Sequence, residues 1–493
     1  MSAYFRTKSI DCLLDETREK GHVLKKVLGP LDVTMAGIGA IIGAGIFAMV
    51  GEAAAGAASG YPAGPSLMIS FVLTSIACGF AALCYAEFAA MVPVSGSAYT
   101  YSYATMGELM AWIIGWDLII EYAIGNVAVA ISWAGYFNDF LLATFGIDIP
   151  IWLRMDYRSF VHHGLDMSAV PHIFGIPVVI NLLAVSVTAV LTIFLIRGVK
   201  ESAKLNDIMV AIKLLVLAVF VALGFYYFRP ENWVPFAPSG FTGIQKGAAM
   251  IFFAYIGFDA VSTVAEETKN PKRDMPLGIL GSLGICTVIY VLVTAALTGM
   301  MPMGELKHKI GEPLVAALLY NHAANWLVSL VAFGAVVATT AVMLVYQMGQ
   351  PRILFAMSRD GLLPQCFSKV HQKFGTPHVG TIITGLFVGG LSAFCSIDEM
   401  ANLCNIGTLF AFVVVCGGVI ILRIKDPNRP RPFKVPCGLL FPILGVLSCL
   451  FLMFGLKDIT WLGFGVWLVI GLTIYFSYGK KRSRLNECVP PHP

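Results

Sequence analysis

The stretch Gly37–Phe47, "GIGAIIGAGIF", lies inside the first long apolar segment of the chain and holds four glycines in eleven residues. Glycine costs a helix about 1 kcal/mol relative to alanine. A lipid-exposed segment must satisfy its backbone hydrogen bonds internally, so a broken helix is tolerated at membrane depth only where it lines a cavity inside the protein. The glycines therefore predict an interruption at Gly43, Ala44 and Gly45.

The composition places this interruption in a membrane protein. The chain has 493 residues, of which 57% are hydrophobic and 13% are charged, and its mean hydropathy is +0.78. Soluble proteins carry about a quarter charged residues. Repeated apolar runs of span length then predict an all-α membrane protein with many spans. The eleven cysteines show no metal spacing, the mixed-charge N-terminus does not resemble a signal peptide, and the net charge of +4 gives no reason to expect nucleic acid.

We predict twelve transmembrane helices, near residues 31–58, 64–90, 106–137, 174–196, 205–228, 247–267, 277–300, 325–350, 378–396, 401–422, 437–455 and 459–478. Of the 33 Lys and Arg residues, 25 fall in segments on the side of the termini and seven in the opposite loops. Because cytoplasmic loops are enriched in Lys and Arg, both termini are predicted to be cytoplasmic in a plasma (inner) membrane.

A second interruption is predicted in the sixth span, where "FFAYIGFDA" (252–260) places Gly257 between two apolar halves and Asp259 just beyond. Broken helices five spans apart are the pattern of two inverted five-helix repeats. The alternative for either motif is glycine packing between helices, and for Asp259 it is a helix cap. The predicted organisation is a cytoplasmic segment 1–30, a core 31–422 with repeats 31–228 and 247–422, two extra helices in 437–478, and a cytoplasmic tail 479–493.

Two such breaks suggest a ligand. The start of the half-helix after Gly45 offers free N–H groups and a partial positive charge, which suit a carboxylate. The freed carbonyls near Ile41, Ile42 and Gly43, and those of Phe253–Ile256, suit an ammonium group. We therefore predict that free L-amino acids bind between the two breaks.

These motifs, together with "CYAEFAAMVPVSGSAYTYSYATMGELMAWIIGW" (84–116), "FFAYIGFDAVSTVAEETKNPKRDMP" (252–276) and "MGQPRILFAMSRDGLLP" (348–364), resemble the cationic amino acid transporter family of the amino acid–polyamine–organocation superfamily. The resemblance covers nearly the whole chain, which has the twelve spans of bacterial members. It implies the leucine-transporter fold with its 5+5 inverted repeat. It also implies secondary active transport of amino acids, with proton-coupled symport in bacterial relatives.

The resemblance also implies roles for single residues. Gly43, Ala44 and Gly45 would take the substrate carboxylate, and the sixth-span backbone near Phe253, Ala254 and Ile256 would take the amine. The Phe253 ring would close over the substrate, and Met343 would border the side-chain subpocket. The alternative for Phe253 and Met343 is ordinary helix packing.

Lys213 is the one Lys or Arg inside a predicted span. An intramembrane charge indicates function by default, although a lysine about 9 Å from the cytoplasmic end could also snorkel towards water. In proton-coupled relatives a fifth-span lysine takes the place of a sodium ion, and Lys213 matches it. Burial disfavours the charged amine, so we predict that Lys213 couples transport to protons, bound to carbonyls near Gly39–Ala40 and groups near Thr339 and Thr340.

Asp117 and Glu121 are four residues apart in the third span and share a helix face. Glu121 lies about 22 Å from the cytoplasmic end, too deep to reach that surface. Three roles stay open for Glu121, which are attraction of a cationic side chain, a second protonation site, or a structural hydrogen bond. The acids Glu87, Glu108 and Glu266–Glu267 near cytoplasmic helix ends are predicted to cap helices and to pair with Lys269, Lys272 and Arg273.

The sequence and the resemblance together predict a proton-coupled amino acid transporter that works by alternating access. A proton-independent exchanger or facilitator is the alternative, and the absence of HExxH, GxSxG and P-loop motifs argues against an enzyme. No metal or cofactor is expected beyond the proton, and the pair His162–His163 is interpreted as part of a solvated loop. The expected partners are amino acids and lipid. The chain is expected to work as a monomer, and a small single-span subunit stays an open alternative.

Overall fold

The structure is a computed structural model, and it describes residues 6–8, 28–56, 59–92, 97–162, 166, 168, 170–198, 203–307 and 311–484. Most of these residues are helical. Most of the predicted cytoplasmic segment 1–30, the final residues 485–493 and His163 lie outside the described part of the chain.

Within the described residues, the first nine helices carry the labels α1 Pro30–Ile41, α2 Gly45–Ala55, α3 Leu67–Met91, α4 Ser97–Thr105, α5 Glu108–Phe145, α6 Tyr157–His162, α7 Leu182–Ile196, α8 Ala203–Tyr226 and α9 Gly240–Ile251. Within them, α2 begins with a π-helical turn, Gly45–Met49, and α5 contains another, Ile120–Ile124. Single π turns inside α-helices are frequent at functional sites.

The later helices are α10 Pro271–Met300, α11 Met303–Leu306, α12 Pro313–Tyr320, α13 Asn325–Arg359, α14 His378–Ser392, α15 Ile397–Lys425, α16 Leu440–Met453, α17 Asp458–Ile474 and α18 Lys480–Arg482. A π turn, Tyr475–Gly479, joins the last two. Short 3₁₀ segments are Gly64–Ser66, Ile151–Leu153, Pro230–Trp233, Phe252–Tyr255, Ala260–Glu267 and Gln365–Ser368. Strands β1 His172–Ile173 and β2 Ile176–Pro177 form an antiparallel pair.

Local sequence explains several helix ends. The Asn181 side chain accepts a hydrogen bond from Ala184 N at 3.1 Å and caps the start of α7. Gly56 and Gly146 end α2 and α5 in the left-handed conformation, with φ of 64° and 69°, which glycine adopts without penalty. Pro271 stands in the first turn of α10, where its missing N–H is not needed.

The helices fit a membrane protein. Within the described residues, eight helices are long and apolar enough to cross a membrane, and the pair α1 and α2, bent by 46°, makes a ninth candidate. Three shorter apolar helices, α7, α14 and α16, coincide with the remaining predicted spans. The helical membrane fold is therefore confirmed in its coarse form, and the count of twelve spans and the inverted repeat stay predictions.

The third span is longer than the sequence predicted. Helix α5 continues to Phe145, eight residues beyond the predicted end at 137. Asn138 is buried there, and its side chain accepts a hydrogen bond from Ile149 N at 2.9 Å. This contact anchors the segment that follows the helix, and residues 138–145, which lie beyond the predicted third span, are helical.

The last long helix, α17, is attached to α5 by tryptophan side chains. Trp112 Nε1 donates to Gly471 O at 3.0 Å, and Trp116 Nε1 donates to Trp467 O at 2.9 Å. The rings of Trp116 and Trp467 stack with centroids 4.6 Å apart. Buried indole N–H groups need acceptors, so these bonds fix α17 against the third span.

Candidate functional site

The first span is interrupted where the glycines predict it. Helix α1 ends at Ile41, and Ile42 is extended, with φ −76° and ψ 102°. Gly43 lies between the two helical halves, and α2 begins at Gly45. A Cβ on Gly43 would come within 2.8 Å of Val342 Cγ2 on α13. The chain therefore leaves the helix at a place where α13 allows no side chain.

The sixth span is interrupted at the predicted position too. Helix α9 ends at Ile251, tightens into the 3₁₀ segment Phe252–Tyr255, and becomes extended at Ile256 with ψ 135°. Gly257 follows with φ +120°, a conformation that residues with a side chain rarely adopt. Asp259 stands at the N-cap position of the next 3₁₀ segment, and its Oδ1 accepts a hydrogen bond from Gly257 N at 3.2 Å.

The two breaks pack directly against each other. A Cβ on Gly45 would lie 2.2 Å from Ala254 Cα, and a Cβ on Gly257 would lie 2.8 Å from Ala40 O. Both distances are below 3.0 Å, which is closer than real Cβ atoms come to their neighbours. The glycines are therefore required for two reasons, because they interrupt the helices and because they let the two interrupted backbones touch.

A tyrosine hydroxyl joins the carbonyls that the breaks set free. Tyr290 Oη on α10 lies 3.1 Å from Ile41 O and 2.8 Å from Ala254 O. The hydroxyl has one proton, so it serves one carbonyl at a time or divides the bond between them. Sequence reasoning missed Tyr290, since a single tyrosine in an apolar helix gives no signal of its partners.

Lys213 lies on α8 and is completely buried. Its Nζ donates to Gly39 O at 2.7 Å and to Ile42 O at 3.1 Å. These carbonyls belong to the last turn of α1 and to the break itself. The geometry therefore agrees with the predicted position of this lysine beside the first span.

The sixth break has a neutral counterpart to this lysine. Asn405 on α15 donates from Nδ2 to Ala249 O at 3.0 Å and to Met250 O at 3.1 Å. These carbonyls precede the 3₁₀ segment, where a continuing helix would have bonded them. Sequence reasoning missed Asn405 as well, because its partners lie about 155 residues away along the chain.

The predicted substrate residues lie together at this junction and are shut away from solvent. Phe253 is 5% exposed, and the others are exposed by 3% or less; these are Ile41, Ile42, Ala44, Ala254, Ile256 and Met343. Gly43 and Gly45 are buried as well. Their assignment to substrate stays a prediction.

Two carboxyl groups meet beside the breaks. Glu121 lies on the π turn of α5, and its carboxyl group lies close to that of Asp259 in the sixth span. Both residues are buried. Two ionised carboxylates at close range repel each other, so this arrangement disfavours the state in which both groups are charged. Asp117 lies one turn before Glu121, with Oδ1 facing Gly407 of α15.

The acids that were predicted near cytoplasmic helix ends have partners other than those predicted. Glu87 pairs with Arg423 and with Arg431, whose Nε lies 3.3 Å from Glu87 Oε1. Glu108 accepts hydrogen bonds from Tyr475 at 2.9 Å and from Ser483 at 2.5 Å. The expected pairing of these two acids with the basic loop 269–273 is therefore wrong, because α3 and α5 end against the C-terminal helices.

A comparison with known proteins decides the family. A family model described as amino acid permease matches residues 28–476. The chain belongs to the amino acid permease family. The permease is 48% identical to the branched-chain amino acid permease BcaP of Bacillus subtilis, over 98% of this chain and 99% of that protein. It is 42% identical to the methylthioribose transporter of the same bacterium, over 99% and 100% of the two chains.

More distant relatives confirm the predicted kinship. The permease is 35% identical to cationic amino acid transporter 4 of Homo sapiens, over 85% of this chain and 63% of the human protein. The relatives are named as permeases and transporters, so transport and not catalysis characterises the family. Their names differ in substrate, which leaves the substrate of this permease to be argued from its own residues.

Proposed function

We propose that this permease carries amino acids across the membrane by proton-coupled alternating access, with Lys213 as the coupling group. The observation that carries this proposal is the contact of the buried Lys213 Nζ with Gly39 O and Ile42 O. A protonated amine satisfies both carbonyls of the first break, whereas loss of the proton weakens these bonds. Proton binding would therefore stabilise the broken form of the first span.

The proposed substrates are neutral amino acids with compact or branched side chains. Val342 packs against Gly43, and the neighbouring Met343 is completely buried. Both side chains are apolar, which suits an apolar substrate side chain. BcaP, which shares 48% of its sequence with this permease, is named for branched-chain amino acids. The backbone groups at the two breaks would hold the ammonium and carboxylate that all these substrates share.

Uptake into proteoliposomes tests the coupling. An inward proton gradient should concentrate labelled leucine in vesicles with the parent protein and not in vesicles with Lys213→Ala. Lys246→Ala is the matched control, because Lys246 is a lysine on α9 that lies over the Tyr61 ring, 4.8 Å from its centroid. Undiminished gradient-driven accumulation in Lys213→Ala would end the role of this lysine. Uptake that ignores the gradient in the parent protein would favour the exchanger or facilitator.

Thermal stability of the purified protein tests the substrate class. A ligand that binds the folded state raises its stability by an amount that grows with the ratio of concentration to Kd. Leucine, isoleucine and valine should raise the Tm more than lysine, arginine or methylthioribose do at equal concentration. A larger shift with lysine, arginine or methylthioribose would contradict the proposed substrate class and leave the coupling proposal standing.

The proposal also covers the orientation of the chain in the membrane and its oligomeric state. The distribution of Lys and Arg supports cytoplasmic termini. We propose function as a monomer, because all the proposed groups lie in one chain. A protease added to sealed, right-side-out vesicles should leave the C-terminal tail uncut, and cleavage there would reverse the orientation.

A further inference from the structure

The dipeptide Glu312-Pro313 begins the short external helix α12 and is wedged between two spans. A Cβ on Gly51 of α2 would lie 2.5 Å from Pro313 Cβ, so the proline ring sits directly on the backbone of the first span. A Cβ on Gly135 of α5 would lie 1.5 Å from Glu312 Oε1, so the carboxyl group fills the place of a side chain. At each glycine the three nearest atoms to the added Cβ belong to the wedge.

The same two spans are joined beside the wedge by a buried hydroxyl. Tyr136, the neighbour of Gly135, donates from Oη to Phe47 O at 2.5 Å. This hydroxyl also lies within hydrogen-bonding reach of the Leu314 backbone. Helices α2, α5 and α12 are thus held together just outside the first break.

Glu312 is the titratable member of the wedge. It faces Asp139, one turn after Gly135 on α5, and Arg154, which follows the 3₁₀ turn 151–153. Arg154 is itself 3.4 Å from Asp148. Among other elements packed against α12, helix α2 carries Glu52, the segment around α11 carries the exposed Glu305 and Lys307, and the outer ends of α10 and α13 carry no charged residue.

We propose that Glu312-Pro313 is a proton-sensitive latch on the external side of the permease. With Glu312 protonated, the wedge seats in the notches of Gly51 and Gly135 and holds the outer ends of α2 and α5 together. With Glu312 ionised, the carboxylate leaves the notch beside Asp139 and the outer ends separate. The latch stands on these contacts alone, and its effect on uptake rests on the proposed transport function.

The direction of the pH effect follows from the seated geometry. Burial, and then the charge of Asp139, raise the pKa of Glu312 from 4.5 to about 8, against a smaller opposing effect of Arg154. When Glu312 is withdrawn and hydrated, its pKa returns to the ordinary value for glutamate. The seated state is therefore favoured most strongly below the ordinary pKa. It loses that advantage progressively as the pH rises, and the loss is complete once the pH passes about 8.

Hydrogen exchange of the α12 amides measures the latch without any need for transport. The comparison is between the parent and Glu312→Gln, which keeps the shape of the side chain but cannot ionise. The exchange rate of α12 in the parent, divided by that in Glu312→Gln at the same pH, should rise at least roughly tenfold between pH 5 and pH 8.5. Taking the ratio cancels the intrinsic pH dependence of exchange.

A matched variant and a steric variant complete the test. Glu305→Gln alters an exposed glutamate on the same external segment and should follow the parent at every pH. Gly51→Ala should speed α12 exchange at every pH, because its methyl group would displace Pro313. A constant ratio between parent and Glu312→Gln across this pH range would overturn the latch. Should Gly51→Ala fail to fold, the glutamine comparison decides alone.

Uptake separates this inference from the proposed function. With the internal pH held constant, raising the external pH should change uptake by the parent more than by Glu312→Gln. A pH-dependent exchange ratio together with gradient-independent uptake would keep the latch and remove proton-coupled transport. A constant exchange ratio together with intact gradient-driven uptake would remove the latch and keep proton-coupled transport.

Discussion

The two broken spans are interrupted by the same residue type but held by different chemistry. Lys213 donates to carbonyls of the first break, Gly39 O and Ile42 O, whereas Asn405 donates to carbonyls before the sixth break, Ala249 O and Met250 O. An amine gains and loses a proton, and an amide does not. Protonation can therefore change the support that Lys213 gives to the first break, whereas it cannot change the support that Asn405 gives ahead of the sixth.

The largest effect is expected from a side chain that forces the two breaks apart. Gly45→Ala would place a methyl group 2.2 Å from the Ala254 backbone, which cannot move aside as a flexible side chain could. Overpacking costs about 1–3 kcal/mol or more, so we expect a clear fall in Tm and loss of nearly all uptake. Gly79→Ala is the control, because a Cβ there meets no atom within 4 Å. Equal uptake by both variants would show that the backbones need not touch.

The next prediction compares the loss of Lys213 at the first break with the loss of Asn405 at the sixth. Lys213→Ala should lower gradient-driven accumulation at least roughly tenfold, since a lost charged donor is worth about 1.5–3 kcal/mol. Asn405→Ala should lower the Tm but leave the ratio of uptake with and without the gradient unchanged. The measurement is that ratio in proteoliposomes. A gradient response that vanishes in Asn405→Ala would mean that both breaks take part in coupling.

A smaller effect is expected from removal of the Tyr290 hydroxyl, which contacts a carbonyl of each break. Tyr290→Phe removes one proton donor and keeps the ring, at a cost of about 1 kcal/mol. Leucine affinity, measured by calorimetry, should weaken roughly fivefold, because the two breaks lose their common bond. Tyr255→Phe is the comparison, since that hydroxyl donates to Phe71 O of the second span at 3.0 Å and not to a carbonyl of either break. An equal loss of leucine affinity in both variants would mean that the Tyr290 hydroxyl has no special role at the breaks.

The smallest effect on neutral substrates is expected at Glu121. Glu121→Gln keeps a hydrogen-bonding side chain beside Asp259 but removes one titrating group. Affinity for leucine should stay within about twofold. Competition by lysine and arginine is measured in the same assay. If lysine competes strongly with the parent and not with Glu121→Gln, Glu121 recognises cationic side chains, and the proposed substrate class is wrong.

Sequence reasoning predicted the elements whose signal is local. Glycines in an apolar run mark Gly43–Gly45 and Gly257 as breaks, because lipid makes such residues costly unless protein surrounds them. Lys213 stands out for the same reason. The partners Tyr290 and Asn405, and the contact of Glu121 with Asp259, depend on which faces of distant helices meet. Tyrosine and asparagine are ordinary in a span, so their roles were visible only once the helices were packed.

The tryptophans that attach α17 to α5 determine how the activity of a truncated chain should be interpreted. A chain ending before Asp458 would leave the indole N–H groups of Trp112 and Trp116 facing acyl tails with nothing to accept them, which is costly in hydrocarbon. The ring face of Trp116 now covered by Trp467 would be bare as well. Inactivity of such a truncation would reveal a deformed third span, and it would say nothing about whether α17 itself moves solute.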